Sequence, residues 1–483
     1  MRNENLPEGW AWTTINEITF INPGLNRNIV NSPEVSFLPM KSVEEKSGKI
    51  DLSEIKNYEQ VKKGYTPFID GDLLFAKITP CMENGKIAIA HNLKNGIGFG
   101  STEFHVIRLV DYKMPQNLLF FFLSQENYRK EAKRNMTGTA GQLRVPADYL
   151  KNTIIPLPPL PEQRRIVDKL EELFSRLEAG VEELKQAQSK LKRYRQAVLK
   201  SAFEGKLTES WREKHKDKLE PASQLLEKIS EERKKQGKSK ELPPLDTSDL
   251  PALPEGWAWT RLGDIIEPSN QKVNPLKIES KPYIGLEHIE KHSGKLIGIG
   301  ISEETKSTKT MFYAGDLLYG KLRPYLNKVF FTNFDGVCST DILVFSKKNF
   351  ISNKFLAFRL LNNDFVNYAS QNVSGVQHPR IDFKTISYFV IPLPSLPEQE
   401  QIAAEIERLF SIAEEIEKFI RQSLKQADRL RQSILHRAFT GRLLPQNPND
   451  EPASKLLERI RAAKAQTPAK TKANQLRKAK NND

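Results

Sequence analysis

The sequence predicts a mixed α/β protein: two globular domains separated by two long helices packed as an antiparallel coiled coil, with an internal pseudo-twofold repeat. Three observations predict it. A set of short motifs occurs twice in the same order, a heptad stripe follows each copy of LPEQ, and short apolar runs fill a domain-sized segment in each copy.

The repeat comes first, because it sets the boundaries. PLPPLPEQRRIVDKLEELFSRLE at 156–178 is answered by PLPSLPEQEQIAAEIERLFSIAE at 392–414, 236 residues later. LPEGWAW stands at 6–12 and 253–259, GDLLFAKITP at 71–80 against GDLLYGKLRP at 315–324, RQAVLKSAFEGKL at 195–207 against RQSILHRAFTGRL at 431–443, and EPASQLLEKI at 220–229 against EPASKLLERI at 451–460. From LPEQ to AFxG the offset holds at 236, whereas from PEGWAW to IPLP it drifts through 247, 244 and 238. Each copy therefore has a shared part and a private part, which suits a chain that holds equivalent partners and reads two different targets. The boundaries that follow are a first domain at 1–155, a long helix at 156–207, a charged linker with a short helix at 208–252, a second domain at 253–391, a second long helix at 392–443, and a short helix with a basic tail, expected to be disordered, at 444–483.

The private parts carry GDLLFAKI, HVIRLV and DILVFS, apolar runs bounded by Gly, Asn and Asp that read as strands. One helix-like segment follows in each, at 116–135 and 353–372, and then a Gly-containing loop with polar and basic residues, TGTAGQLRV at 137–145 and SGVQHPRI at 374–381. Pro7, Trp10 and Trp12, like Pro254, Trp257 and Trp259, open both unlike domains, so they are expected to pack against the shared helical base.

In the shared parts, Ile166, Leu170, Leu173, Leu177, Leu184, Leu191 and Val198 step by threes, fours and sevens, and Ile402, Ile406, Leu409, Ile416, Ile420, Leu430 and Ile434 lie on the same stripe in the second copy. This is a coiled-coil seam, and Leu177 against Ala413 and Leu191 against Ala427 alternate large and small as interdigitation requires. Proline at the first helical position, Glu162 in the first turn, and Gly205 and Gly441 as left-handed caps bound the helices. Some 44 residues from Pro161 to Glu204 predict a helix roughly 65 Å long at 1.5 Å per residue.

Composition narrows the function. The chain has 483 residues, 38% of them hydrophobic, and a formal net charge of +14, which favours a polyanionic partner because Lys and Arg that neutralise phosphates release condensed counterions. Two isolated cysteines, Cys81 and Cys338, exclude a disulfide framework or a four-cysteine zinc site. No apolar signal core opens the chain and LLFFFL at 118–123 is too short to span a bilayer, so a soluble intracellular protein is expected. HIEKH at 288–292 lacks the glutamate position of a zinc-protease helix, GKSK at 237–240 lacks the upstream glycine of a phosphate loop, and no NPPF or DPPY tetrapeptide of a methyltransferase occurs. The expectation is no metal and no catalytic residue.

The doubled PEGWAW, IPLPxLPEQ, AFxGxL and EPASxLLExI around two unlike domains resemble the DNA-specificity subunit of Type I restriction-modification systems over essentially the whole chain. The resemblance implies two target-recognition domains, each reading half of a bipartite asymmetric site on double-stranded DNA, with the paired helices as a ruler. It implies docking of two methyltransferase subunits and of endonuclease-translocase subunits. S-adenosylmethionine, ATP and Mg2+ would sit on those partners, this chain would carry no catalytic site, and the location would be the cytoplasm of a prokaryotic cell, associated with the nucleoid.

Base reading needs paired donors and acceptors, Arg or Lys to guanine and Asn or Gln to adenine. The two loops offer Gln142 and Arg144 in the first domain and Gln377, His378 and Arg380 in the second. Lys77 and Thr79, with Lys321 and Arg323 opposite, suit phosphate positioning. The competing expectation is a basic coiled-coil scaffold joining two protein-binding modules, with only nonspecific nucleic-acid affinity; an enzyme with an unrecognised site has no motif behind it.

Overall fold

The computed structural model describes residues 6–25, 33–235, 242–304 and 307–466. The GKSK segment and the basic tail from residue 467 onward lie outside the described residues. The chain forms two compact units, Met1–Glu183 with Ser423–Asp483, and Leu184–Gln422. Each contains one of the private domains.

In the first unit Ala11–Thr14 pairs antiparallel with Ile154–Leu157, so the two ends of the domain leave it side by side. Between them lie two four-stranded sheets. One is wholly antiparallel and runs Thr19–Ile21, Phe104–Leu109, Leu73–Ala76, Ile87–Ile89. The other runs Ile55–Asn57, Glu34–Leu38, Ile97–Gly100, Thr66–Ile69, with one parallel pair at its centre. The second unit repeats the plan with Ala258–Arg261 against Val390–Leu393, a three-stranded sheet of Val329–Phe331, Leu317–Gly320 and Ile342–Phe345, and a five-stranded sheet.

The segments expected as one helix are each two: Gln116–Leu123 and Glu126–Arg134, then Asn353–Leu361 and Asn363–Gln371. In the second case the cause is visible. Asn362 is extended and its side chain accepts from the Asp364 N–H, ending one helix and capping the next. The stretch expected as a charged linker is also more ordered than its composition suggested. It holds the helices Glu209–His215 and Ala222–Lys235, and Ala222, Leu225 and Ile229 are buried in the core of the second unit. The matching helix Ala453–Gln466 buries Ala453, Leu456, Leu457 and Ile460 in the core of the first.

The long helices run Leu160–Phe203 and Leu396–Phe439, 44 residues each, starting one residue earlier than the sequence indicated. Within each unit the beginning of one helix packs against the end of the other, antiparallel. In the first unit Glu178 pairs with Arg431 at 3.1 Å, and Ile166, Leu170 and Phe174 share a core with Leu435, Ala438 and Phe439. In the second, Arg195 pairs with Glu417 at 3.0 Å, and Val198, Leu199 and Ala202 share a core with Ile402 and Ile406.

The seam departs from strict heptads. Ile166, Leu170, Val198, Ile402, Ile406 and Ile420 are buried, and Leu173, Leu177, Leu184, Leu191, Leu409 and Ile434 are half-buried. Ile416 and Leu430, expected in the seam, are 44% and 49% exposed, while Phe174, Leu199 and Leu435, off the stripe, are buried. The helix ends bury a second face because they also pack on the domains: Phe174 meets Phe121 at 5.5 Å and Phe410 meets Phe358 at 5.8 Å. A two-stranded stripe does not anticipate a helix with two packed faces.

All four doubled motifs meet at one joint per unit. In the first unit the Trp10 indole donates to Glu162 at 3.0 Å and the Gln446 amide donates to the same carboxylate at 3.3 Å and to the Gly441 carbonyl at 2.7 Å. The Ala453 N–H donates to the Gly9 carbonyl at 2.8 Å. In the second unit the Trp257 indole donates to Glu398 at 2.8 Å, and Thr208 and Arg212 donate to its other oxygen, each at 2.8 Å. Arg212 also donates to the Gly205 carbonyl, and the Ala222 N–H to Gly256 O at 2.8 Å. Gly205 and Gly441 have φ of +73° and +70°, and a Cβ on either would collide with the Pro254 or Pro7 ring. Gln163 and Gln399, fully buried, fold back to the Pro158 and Pro394 carbonyls at 2.8 and 3.0 Å. The tryptophan, glutamate, glutamine and glycine of the repeated motifs thus all have partners at the joint.

The two joints differ in one respect that stability can report. Glu398 accepts from the half-buried guanidinium of Arg212, whereas Glu162 accepts hydrogen bonds only from neutral donors, with Arg165 nearby, and its carboxyl is pushed up by burial. Glu398→Ala strands a charge and should cost about 3–5 kcal/mol. Glu162→Ala leaves only neutral donors unpaired and should cost about 1–3 kcal/mol. Urea unfolding followed by tryptophan fluorescence checks the order of the two; equal losses would mean that the charge on Arg212 does not matter to the joint.

Candidate nucleic-acid interface

The two loops singled out by the sequence fold as matched hairpins. Thr137 and Arg144 exchange backbone hydrogen bonds of 2.9 Å in both directions, and Ser374 and Arg380 do the same at 2.8 and 2.9 Å. Gly138 and Gly375, with φ of +126° and +86°, allow the turns. Each hairpin docks on the chain leaving a central strand. The Val145 N–H donates to Lys77 O and the Thr79 N–H to Leu143 O, both at 2.9 Å; the Ile381 N–H donates to Lys321 O at 3.0 Å and the Arg323 N–H to Pro379 O at 2.7 Å. The structure therefore brings Lys77 and Thr79 together with Gln142 and Arg144, and Lys321 and Arg323 with Gln377, His378 and Arg380.

Within that grouping the side chains differ in freedom. Gln142, Gln377, His378 and Arg323 are exposed, and Lys77 and Lys321 are half-buried. The Thr79 hydroxyl donates to Glu83 at 2.7 Å and is engaged inside the domain. Arg144 is braced on three sides: Nε and Nη2 donate to the Glu103 carboxylate at 2.9 and 2.8 Å, and Nη1 to the Gln142 carbonyl at 2.9 Å. Arg380 makes the same fork with Asp341 at 3.1 and 3.3 Å. The Arg144 hydrogen bonds hold the Glu103 carboxyl below the usual range.

Glu103 and Asp341 are the residues sequence reasoning missed. Each sits at one turn position: the Ser101 and Ser339 hydroxyls accept from the Glu103 and Asp341 N–H groups at 3.2 and 3.3 Å, and the Glu103 and Asp341 carbonyls accept from the Lys77 and Lys321 N–H groups, both at 2.9 Å. The signal was present as Ser-Thr-acid at 101–103 and 339–341, a further doubled motif inside the private parts. Elsewhere, His288 of HIEKH uses its Nδ1 to accept from the Gly285 N–H at 3.0 Å, and among the described residues no cluster of three metal-ligating side chains occurs. No helix among them is long and apolar enough to cross a membrane.

The sequence profile of the Type I restriction modification DNA specificity domain matches residues 7–186 and 254–426, one match around each hairpin. The chain belongs to this family. It is 32% identical over 485 residues to the Type I restriction enzyme EcoAI specificity subunit of Escherichia coli, covering 87% of this chain and 80% of that one. To the EcoDI specificity subunit of the same species it is 34% identical over 355 residues, 71% and 76% of the two chains. The fold is similar to that of a chain from the structure describing complex assembly and conformational transition of the type I R-M system, with a TM-score of 0.61 at 22% identity over 91% of this chain and 100% of that one. It is also similar to the HsdS subunit from Thermoanaerobacter tengcongensis, with a TM-score of 0.53 at 21% identity over 91% and 99%. As a member of the specificity-subunit family the chain recognises DNA and is not itself the catalyst.

Behind the first hairpin the specificity subunit carries a titratable anchor. His105 Nε2 lies 2.9 Å from the Val145 carbonyl and Nδ1 lies 3.2 Å from the Asn22 amide nitrogen. Asn22 Oδ1 accepts from the Val106 N–H at 2.9 Å, so its nitrogen must donate to Nδ1, and His105 is neutral with its proton on Nε2. Burial, with Lys77 nearby, lowers its pKa. A histidine with a lower pKa folded than unfolded binds a proton on unfolding, so its stabilisation is complete above about pH 6.5 and is lost as pH falls below that. Urea midpoints between pH 8 and 5.5 should decline for the native chain and flatten for His105→Gln; parallel profiles would exclude His105 as the group responsible.

Proposed function

We propose that this chain reads a bipartite, asymmetric site in double-stranded DNA, one half-site per domain, with the hairpins at 137–144 and 374–380 entering the major groove. The observation that carries the reading is the matched pair of hairpins: the same carboxylate fork and backbone docking support tips with different residues, Thr-Ala-Gly-Gln against Val-Gln-His. A scaffold that only held DNA through charge would have no use for a braced, structurally conserved base under unlike tips. Gln142, Gln377 and His378 supply base-edge donors and acceptors. Lys77, Lys321 and Arg323 supply phosphate contacts, and Arg144 and Arg380 hold the hairpins in place.

The long helices set the unread gap. A helix of 44 residues is roughly 65 Å long, the length of about 19 base pairs, and the gap is shorter because the domains have width. The shared parts dock two methyltransferase subunits and the endonuclease-translocase subunits of the system, on which S-adenosylmethionine, ATP and Mg2+ are used. The setting is the cytoplasm of a prokaryotic cell, on the nucleoid.

Selection from random duplex DNA, with the chain co-expressed with its methyltransferase subunit, tests this. The bound pool should contain two short unlike motifs at one fixed spacing. An unenriched pool from a folded complex would favour the basic scaffold instead. Inserting one heptad in each long helix, about 10.5 Å, should then lengthen the selected gap by about three base pairs while leaving both motifs unchanged.

A further inference from the structure

The hairpin tip of the second unit carries a side chain that folding does not explain. Val376 is 99% exposed, more than any other large hydrophobic residue among those described. It follows Gly375, where a turn would ordinarily continue with Asn, Asp, Ser or a second Gly. The tip is not loose. Ser374 and Arg380 close it below Val376, Arg380 is forked onto Asp341, and the Pro379 carbonyl accepts from the Arg323 N–H. Arg323 itself is held at φ +52°, a left-handed conformation costly for a residue with a Cβ, at the point where its N–H docks on the hairpin. A β-branched side chain has few rotamers to lose on contact, so a rigid hairpin presents it at little entropic cost.

Resting on the split-site reading above, we propose that Val376 contacts the C5-methyl group of one thymine in the half-site read by the second unit, and so selects that base pair. The thymine methyl is the apolar handle of the major groove, and a side chain that reads it must be apolar, projecting and set among cationic and amide groups that bind the rest of the duplex. Val376 precedes Gln377 and His378 on a hairpin whose Pro379 carbonyl accepts from the Arg323 N–H, which is that arrangement. The first hairpin offers only the short side chains of Thr139 and Ala140 at the corresponding place, so the strongest methyl contact belongs to the second half-site.

The test uses the complex of this chain with its methyltransferase subunit and the half-site obtained by selection. Affinity is measured by fluorescence anisotropy for duplexes in which each thymine of the second half-site is replaced in turn by deoxyuridine, with native chain, Val376→Ala and Val376→Thr. At one position deoxyuridine should weaken binding to the native chain about fourfold, the effect of roughly one buried methyl group. Val376→Ala should bind thymine and deoxyuridine duplexes alike there, and Val376→Thr, which keeps one methyl, should fall between. Deoxyuridine effects that are equal in native chain and Val376→Ala, or a second half-site with no thymine, would overturn the assignment while leaving the split site standing. A loss of complex assembly in Val376→Ala with unchanged DNA affinity would also overturn it, assigning the residue to a protein contact. A pool with no preferred sequence removes the split-site reading itself, and this inference with it.

Discussion

Two buried carboxylates, Glu162 and Glu398, hold the molecule's plan in place. Each stands in the first turn of a long helix, where the free N–H groups favour a negative charge, and each is less accessible than solvation of a lone carboxylate would allow, at 1% exposure. Such a group survives burial only if donors converge on it. The donors are the tryptophan that opens the same domain and the segment that follows the end of the other long helix. One side chain therefore fixes three chain segments at once. It also fixes which helix end belongs to which helix start, because only the antiparallel choice delivers Gln446 or Thr208 and Arg212 to it.

This has a consequence for how the repeat is used. Neither copy completes its own joint: PEGW and LPEQ of the first copy receive AFxG and EPAS of the second, and the reverse holds in the second unit. The first unit is accordingly assembled from the two ends of the chain, and the second from its middle. Identical motifs at both joints let the two unlike domains be carried on the same base.

Much of this was legible from the letters. The length of the helices, their proline starts and glycine ends, and the position of both glycine-containing loops follow from local rules that act over a few residues, and Leu160–Phe203 obeys them. What was not legible is long-range and polar. Glu162 read as a favourable first-turn acid, with nothing in its neighbourhood to reveal Gln446, 284 residues away. Glu103 and Arg144 are 41 residues apart and no periodicity links them. Ile416 and Leu430 matched a two-stranded stripe, but the helices also carry domains on their ends, and the burial of Phe174 and Leu435 is decided there.

The fork under each hairpin bears on how one scaffold serves two targets. A bidentate contact to a base edge tolerates little positional error, and a loop that had to be ordered on binding would lose affinity to conformational entropy. Arg144 and Arg380 order the two hairpins before any contact, since a guanidinium forked on a carboxylate is fixed in both position and plane. Arg144, with Nε, Nη1 and Nη2 all donating inside the domain, would have to break its brace to reach a base. The side chains above it carry no such brace, and these are the ones that differ between the hairpins. The first tip spends its extra residue on Gly141, at φ +80°, before Gln142; the second goes directly from Val376 to Gln377 and His378. Above each fork, length and composition differ while the docking below stays the same, and that separation is what lets one fold, written twice, carry two unlike tips.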